Sequence, residues 1–350
     1  MRILLFLCFC SLTAFTQTPN NAPRIDEGLK SVRRQTIEAH LSFLASNALE
    51  GREAGRRGGR VAAEYIKAIL TEYGVKPFYG DYFQQFEAFS PAREKGGEFQ
   101  VHPDSIAQYR RLQAYRRLNL QNIVGFIEGE RKEEYIVIGA HYDHLGVDDL
   151  LVDDQVYNGA DDNASSVAAL LQVAKAFVAS GKKPLRSVIF GFWDGEEINY
   201  LGSEYFVGNF GNTQAIKANI NLDMISREGL LPILYPEFKI PEATKENTAV
   251  SKEFHLLYTE ELTTVGEQTL RHIREHNLDI VPKLAVMSPQ SRGSDYLAFS
   301  TRGIPILWFF TGLHPDYHTP DDEVERIDLN KLTDITKAVY LQSNYIVNKK

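Results

Sequence analysis

The chain has 350 residues, 43% of them hydrophobic and 24% charged, with a formal net charge of −8 at pH 7. This composition excludes a disordered or fibrous chain and leaves enough apolar material for a full core. The acidic balance argues against nucleic acid as a partner, and length alone does not separate one domain from two.

The N-terminus, MRILLFLCFCSLTAFTQTPN, sets one arginine before an apolar run from Ile3 to Phe15 and then small and polar residues. That is the pattern of a secretory signal peptide, and the run is too short to span a membrane. The expectation is a signal over residues 1–16 and an exported product, periplasmic or secreted, with no membrane association after cleavage. Cleavage there removes Cys8 and Cys10, leaving no disulfide to form. An uncleaved anchor and a lipid-modified Cys10 are the competing readings.

Apolar residues at helical spacing predict a helix over Thr36–Leu49 and a second over Val61–Tyr73. Between them, EGREAGRRGG has the glycines of a loop but not the Lys-Ser/Thr ending of a phosphate loop, and reads as a solvated turn. YRRLQAYRR at 109–117 reads as a solvated helix face. From residue 122 short apolar strands alternate with helices: NIVGFIE, YIVIGA, a helix over 163–179, SVIFGFW, ANINLDMI, FHLLY, a helix near 263–275, IPILWFF and a last helix over 329–346. Asn163 is the expected cap of the first of these helices, with Val167, Leu170, Leu171, Ala174 and Val178 as its buried stripe. Pro232, Pro236 and Pro241 mark an extended excursion. Strands that are apolar throughout and separated by helices indicate an α/β fold with a sheet covered on both faces.

Five segments set His, Asp or Glu just after a strand or in the loop beyond it: GAHYDHLG, NGADDNASS, DGEE, NLDMI and HPDYHTPDDE. Ligands bind at the carboxyl ends of the strands of open α/β sheets, so these loops can converge on one crevice. Singly, each has an ordinary reading as a structural histidine, a helix cap or a solvated acid pair. Five in this order suggest a metal site, and zinc accepts such nitrogen and oxygen donors.

In order and spacing these segments resemble the co-catalytic di-zinc exopeptidases, the family that includes aminopeptidase S, aminopeptidase Y and glutamate carboxypeptidase II, with glutaminyl cyclase as a cousin. HLSFLASNALEGREAGRRGGRVAAEYI and YHTPDDEVERID extend the similarity over nearly the whole mature chain. The resemblance implies a mixed, mostly parallel central sheet flanked by helices on both faces, as in phosphorylase/hydrolase-like folds. The stretch from Phe86 to Asn122 is too short for the protease-associated insert of some members, which implies a single catalytic domain over 17–350.

The resemblance further implies two zinc ions per chain, one held by His141, Asp162 and Asp223 and the other by Asp162, Glu197 and His318. Asp162 rather than Asp161 matches the bridging carboxylate, which lies three residues before the serine matched by Ser165. Asp143 matches the carboxylate that orients the ligand histidine, while His144 has no transferable role and reads as structural or rim. Glu196 is the implied general base, and Tyr317 matches a tyrosine that donates to the oxyanion, with a packed aromatic as its ordinary alternative. GSDYLAF departs from the family's Ser-Asp-His segment by carrying Tyr296. Two zinc ions bring +4 against −3 from the three carboxylates, so such a site keeps its Lewis acidity. The implied activity is that of a zinc-dependent exopeptidase, an aminopeptidase that cleaves N-terminal bonds of peptide substrates through a metal-bridged water. The alternatives are a glutaminyl-peptide cyclotransferase, a carboxypeptidase, which clustered arginine would favour, and a non-enzymatic relative.

Overall fold

A computed structural model describes residues 25–91, 98–112, 114–229 and 252–350. The leader with Cys8 and Cys10, and the excursion at Pro232, Pro236 and Pro241, lie outside these residues. In chain order the helices α1 (Ile25–Ser31), α2 (Arg34–Leu44) and α3 (Arg57–Glu72) precede the strands β1 (Lys76–Pro77) and β2 (Phe83–Pro91). Helix α4 (Pro103–Tyr109) leads into β3 (Tyr115–Ile127) and β4 (Arg131–His141), followed by the small hairpin β5 (Gly146–Val147) and β6 (Val156–Tyr157). Then come α5 (Ser166–Ala179), β7 (Arg186–Trp193), α6 (Leu201–Gly208) and β8 (Ile216–Leu222). The chain ends with β9 (Glu253–Tyr258), α7 (Val265–Glu275), β10 (Val281–Val286), α8 (Tyr296–Ser300), β11 (Ile306–Phe310) and α9 (Leu329–Asn348).

The main sheet runs β1-β3-β7-β4-β8-β11-β9-β10, with β2 also on β3. Its centre, β7-β4-β8-β11, is parallel, while β3 on one side and β9 on the other are antiparallel to their inner neighbours. This is the mixed, mostly parallel sheet that the resemblance implies. Alternate residues of the central strands face opposite ways: Ile136, Ile138 and Ala140 join one buried cluster, and Val137 and Ile189 join another. Helices α2, α3, α5 and α9 contribute to the first cluster and α6 and α8 to the second, so both faces are covered.

Four local expectations change. Helix α3 begins at Arg57, four residues earlier than its apolar spacing suggests, and Gly58 is needed inside it because a Cβ there would lie 1.7 Å from the Leu49 carbonyl. The basic stretch 109–117 is no helix face: α4 stops at Tyr109, and Arg116 and Arg117 lie on β3, paired with β2. Arg110 and Arg117 both reach Glu87, at 3.2 Å each. Helix α5 starts after a wide turn over Ala160–Ser165, so Asn163 does not cap it. The Asn163 amide instead donates to the Leu222 carbonyl and accepts from Met224 N, tying this turn to the end of β8. Val178 is 38% exposed and outside the buried stripe, whereas Val167, Leu170, Leu171 and Ala174 are buried.

Helix α2 is pinned to α3 by a buried polar cluster. His40 meets the Tyr65 hydroxyl at 2.8 Å and the Tyr73 hydroxyl at 2.9 Å, and Gln172 Nε2 donates to Tyr73 at 2.9 Å. Burial, with Lys175 adding to it, lowers the His40 pKa from 6.5 to about 4. The unfolded chain therefore takes up a proton near pH 6.5 while the folded chain does not, so stability is lost as pH falls from there towards 4. The expected loss is about 3 kcal/mol. Urea unfolding followed against pH should show a shallower acid limb in His40→Gln than in the parent chain; identical limbs would contradict this assignment.

Candidate metal centre

The four parallel strands end at one edge of the sheet, and each delivers part of the cluster. β4 ends on His141, with Asp143 two residues on; β7 is followed by Glu196 and Glu197, and β8 by Asp223. Beyond β11 the chain turns to His318, and the turn before α5 brings Asp162. His141 Nε2 lies 3.3 Å from Asp162 Oδ1 and 3.5 Å from Asp223 Oδ1, with Glu196 Oε2 farther away at 4.0 Å. His318 Nε2 lies 3.2 Å from both Asp162 Oδ2 and Glu197 Oε2. Asp162 thus presents one oxygen to each imidazole. Asp161 faces elsewhere, accepting from Ser226 Oγ at 2.6 Å, Ser226 N at 3.0 Å and Arg227 N at 3.3 Å.

These distances suit shared cations. Four donors at zinc bond lengths of about 2.0–2.1 Å around a tetrahedron stand about 3.3 Å from one another. The proximate donor atoms fall into two groups, His141 with Glu196 and Asp223 and His141 with Asp162 and Glu197, and His318 Nε2 adds a further nitrogen beside Asp162 and Glu197. His318 Nε2 touches two carboxylates yet is aligned for a hydrogen bond to neither, as fits a nitrogen whose partner is a metal. His141 Nδ1 meets the carbonyl of Asp143 at 3.2 Å. A carbonyl only accepts, so in the neutral ring Nδ1 carries the hydrogen and Nε2 offers its lone pair to the cluster.

The electrostatics show the need for positive charge. Burial works against the charged form of every group here, yet Glu196 and Asp223 hold the His141 pKa well above its usual value. His318 rises to about 10 against its own burial, through Asp162 and Glu197. Asp162, despite burial, is held well below the usual carboxylate range by His141 and His318. Glu196 goes the other way: burial and then the charges of Glu197, Asp223 and Asp295 push it well up, with His141 opposing.

The surrounding groups orient the cluster. Asp143 is fully buried and accepts from the Glu196 amide at 3.1 Å and the Glu197 amide at 3.4 Å, while its carboxylate stays 3.7 Å from His141 Nδ1. It therefore shapes the Glu196–Glu197 turn more directly than the imidazole. His144 is buried and meets Glu197 Oε1 at 2.7 Å, a link that the sequence reading did not contain. Asp322 accepts from the Asp161 and Asp162 amides at 3.0–3.1 Å and is backed by Arg227 Nη1 at 3.6 Å. Its place in YHTPDDEVERID, four residues after His318, was the available signal for it. Met224 and His318 hold left-handed backbone, φ 47° and 57°, at a cost of about 1–3 kcal/mol each.

Arg52 overturns the reading of EGREAGRRGG as a solvated turn. It is 1% exposed, and its guanidinium donates to the carbonyls of Leu44 and Asn158 at 2.6 Å and of Tyr142 and Gly159 at 2.9 Å. Burial lowers its pKa only to about 10, because Asp162, Asp322, Asp143 and Glu197 counter the desolvation.

The cluster floors a cleft of 730 Å³ with an apolar side formed by Phe99, Met224, Trp308, Phe310 and Leu313. Tyr317 lines it, stacked on His318 with centroids 3.7 Å apart, and burial with the nearby acids keeps its hydroxyl protonated. Tyr296 is fully buried against Trp308, at 4.8 Å between centroids, and does not line the cleft. Arg116 and Arg292 also line the cleft.

The family described as "Peptidase family M28" matches residues 122–342. The glutamate carboxypeptidase 2 homolog of Caenorhabditis elegans is 27% identical over 246 residues, 64% of this chain and 29% of its own length. Aminopeptidase YwaD of Bacillus subtilis is 25% identical over 248 residues, 66% of this chain and 46% of its own length. The chain thus spans less than half the length of these curated relatives. Among solved structures, the Legionella pneumophila LapA aminopeptidase has a TM-score of 0.65 at 17% identity, covering 100% of this chain and 80% of that one. BSAP, a zinc aminopeptidase from Bacillus subtilis, has a TM-score of 0.62 at 15% identity, covering 91% and 96%. Both share the fold.

Replacing Arg52 by Met strands four carbonyls and removes a buried cation that is coupled to Asp162, Asp322, Asp143 and Glu197. The expected loss in the metal-free protein is about 3–5 kcal/mol by urea unfolding. Arg52→Lys should recover only part of it, since an ammonium cannot span four acceptors in the guanidinium's plane. A lysine variant as stable as the parent would refute this account.

Proposed function

The chain belongs to peptidase family M28, and from that premise we propose that it is a zinc-dependent exopeptidase, an aminopeptidase that hydrolyses the N-terminal bond of peptides. The observation that carries the proposal is the split of Asp162, whose two oxygens face His141 at 3.3 Å and His318 at 3.2 Å. That arrangement supports one zinc on His141, Asp162 and Asp223 and a second on Asp162, Glu197 and His318. When bound, such a pair lowers the pKa of water and polarises the scissile carbonyl.

The chain's own groups supply the rest. Glu196 is farther from His141 Nε2 than the assigned donors and lines the cleft, which leaves its carboxylate to take a proton from the attacking water and pass it to the departing amine. Asp143 holds the amides of Glu196 and Glu197, so the two side chains leave the turn on separate tasks. The protonated Tyr317 hydroxyl serves as a hydrogen-bond donor to the tetrahedral oxygen. The acid-rich floor suits a free, cationic N-terminus. A carboxypeptidase is the second reading, favoured by Arg116 and Arg292 in the same cleft. The apolar leader supports export, and among the described residues no helix is long and apolar enough to cross a membrane.

Chelation should abolish hydrolysis of aminoacyl p-nitroanilides and added zinc should restore it, with elemental analysis giving two zinc per chain. A single zinc at full activity would remove the bridging role of Asp162. Glu196→Gln should lower kcat by about 10²–10⁴-fold while keeping its zinc. Undiminished turnover in that variant would exclude Glu196 as the base.

A further inference from the structure

The cleft is lined by charge of both signs. Its floor gathers Asp162, Glu196, Glu197 and Asp223, while Arg116 and Arg292 line it as well. Arg116 projects from β3 with its guanidinium 5.3 Å from the Phe99 ring centroid, so it is braced against an aromatic that itself lines the cleft. Arg292 comes from the loop before α8, is exposed, and makes no ion pair among the described residues. It also lines a smaller adjoining pocket of 230 Å³, so it stands at the boundary of the main substrate space. Glu98 lines the cleft too.

An exopeptidase site that needs only the amine of its substrate has no use for a guanidinium at the border of its cleft. A site that reads both ends does. We propose that Arg292, aided by Arg116 in the same cleft lining, receives the C-terminal carboxylate of the substrate, so that the preferred substrates are free dipeptides and comparably short peptides whose amine faces the acids and whose carboxylate faces the arginines. This rests on the exopeptidase reading above and names its substrate class. The cleft volume of 730 Å³ is in the range of small-ligand sites. Guanidinium and carboxylate match in charge and in hydrogen-bond geometry. On a dipeptide the amino- and carboxypeptidase descriptions become the same cleavage, which accounts for acids and arginines in one cleft. The bond broken is the single peptide C–N bond; water supplies the hydroxyl to the acyl carbon and the proton to the departing amine.

The test compares kcat/KM of the zinc-loaded full chain on Leu-Leu, Leu-Leu-amide, N-acetyl-Leu-Leu and Leu-Glu-amide, with Leu-p-nitroanilide as reference. Leu-Leu should exceed Leu-Leu-amide by about 10- to 100-fold, as for a hydrogen bond to a charged group, mostly through KM. In Arg292→Gln that ratio should fall towards one. The ratio is read within each variant, so partial loss of folding or zinc cancels, and Arg116→Gln should lower the same ratio less steeply. Equal rates on Leu-Leu and its amide in the parent enzyme would overturn the inference, as would a ratio unmoved by Arg292→Gln. An Arg292-dependent preference for Leu-Glu-amide over Leu-Leu-amide, with Leu-Leu no better than its amide, would overturn it by assigning the arginine to an acidic side chain. Ready cleavage of N-acetyl-Leu-Leu would refute the reading of the amine. Failure on every substrate, including the anilide, would reject the aminopeptidase reading itself.

Discussion

A single buried guanidinium holds together the loops on which the cluster depends. Arg52 gathers the carbonyls of Leu44, Tyr142, Asn158 and Gly159, joining the end of α2 to the loop after β4 and to the turn that carries Asp162. A cation without water is costly, and here it is matched by four carbonyl dipoles rather than by one carboxylate. The acids around it supply charge balance at longer range, so it can lie beside a metal-binding cluster without occupying a ligand. The backbone of the same residue accepts from His144 N at 3.2 Å, which brings the partner of Glu197 under the same control.

The sheet explains why so many acids meet. Parallel strands point their carboxyl ends one way, so residues far apart in sequence arrive at one edge. Four such ends and one turn suffice for the cluster. Burial, and after it the neighbouring carboxylates, then raise the pKa of Glu196 and Asp223, and left-handed backbone at Met224 and His318 adds strain. The two apolar clusters packed on either face of the sheet are the source of stability that sustains this.

The core of the architecture was legible because buried parallel strands are apolar throughout: YIVIGA, SVIFGFW and IPILWFF could hardly be anything else. β2 and β10 were not, since they lie at the margins of the sheet: β2 mixes exposed with buried positions, and β10 has no buried position and leaves Val281, Leu284 and Val286 exposed. The residues brought to the cluster were legible as His, Asp and Glu following strands. Their supports were harder to see. Arg52 sits among other arginines that are exposed, and composition cannot tell which one turns inward. His144 gives no local sign that its partner lies 53 residues away. Asn163 looks like a helix cap because Asn before a helix usually is one, and only the wide turn before α5 reveals its other task.

The contact between His144 and Glu197 bears on denticity. With Oε1 engaged by an imidazole at 2.7 Å, Glu197 has one oxygen, Oε2, directed towards His318. Asp162 likewise divides its oxygens between two imidazoles. Neither acid is then free to chelate a cation through both oxygens, and a cation held by them would meet one oxygen from each and keep room for water. The histidine beside Glu197 would thus limit how many donors that acid can offer.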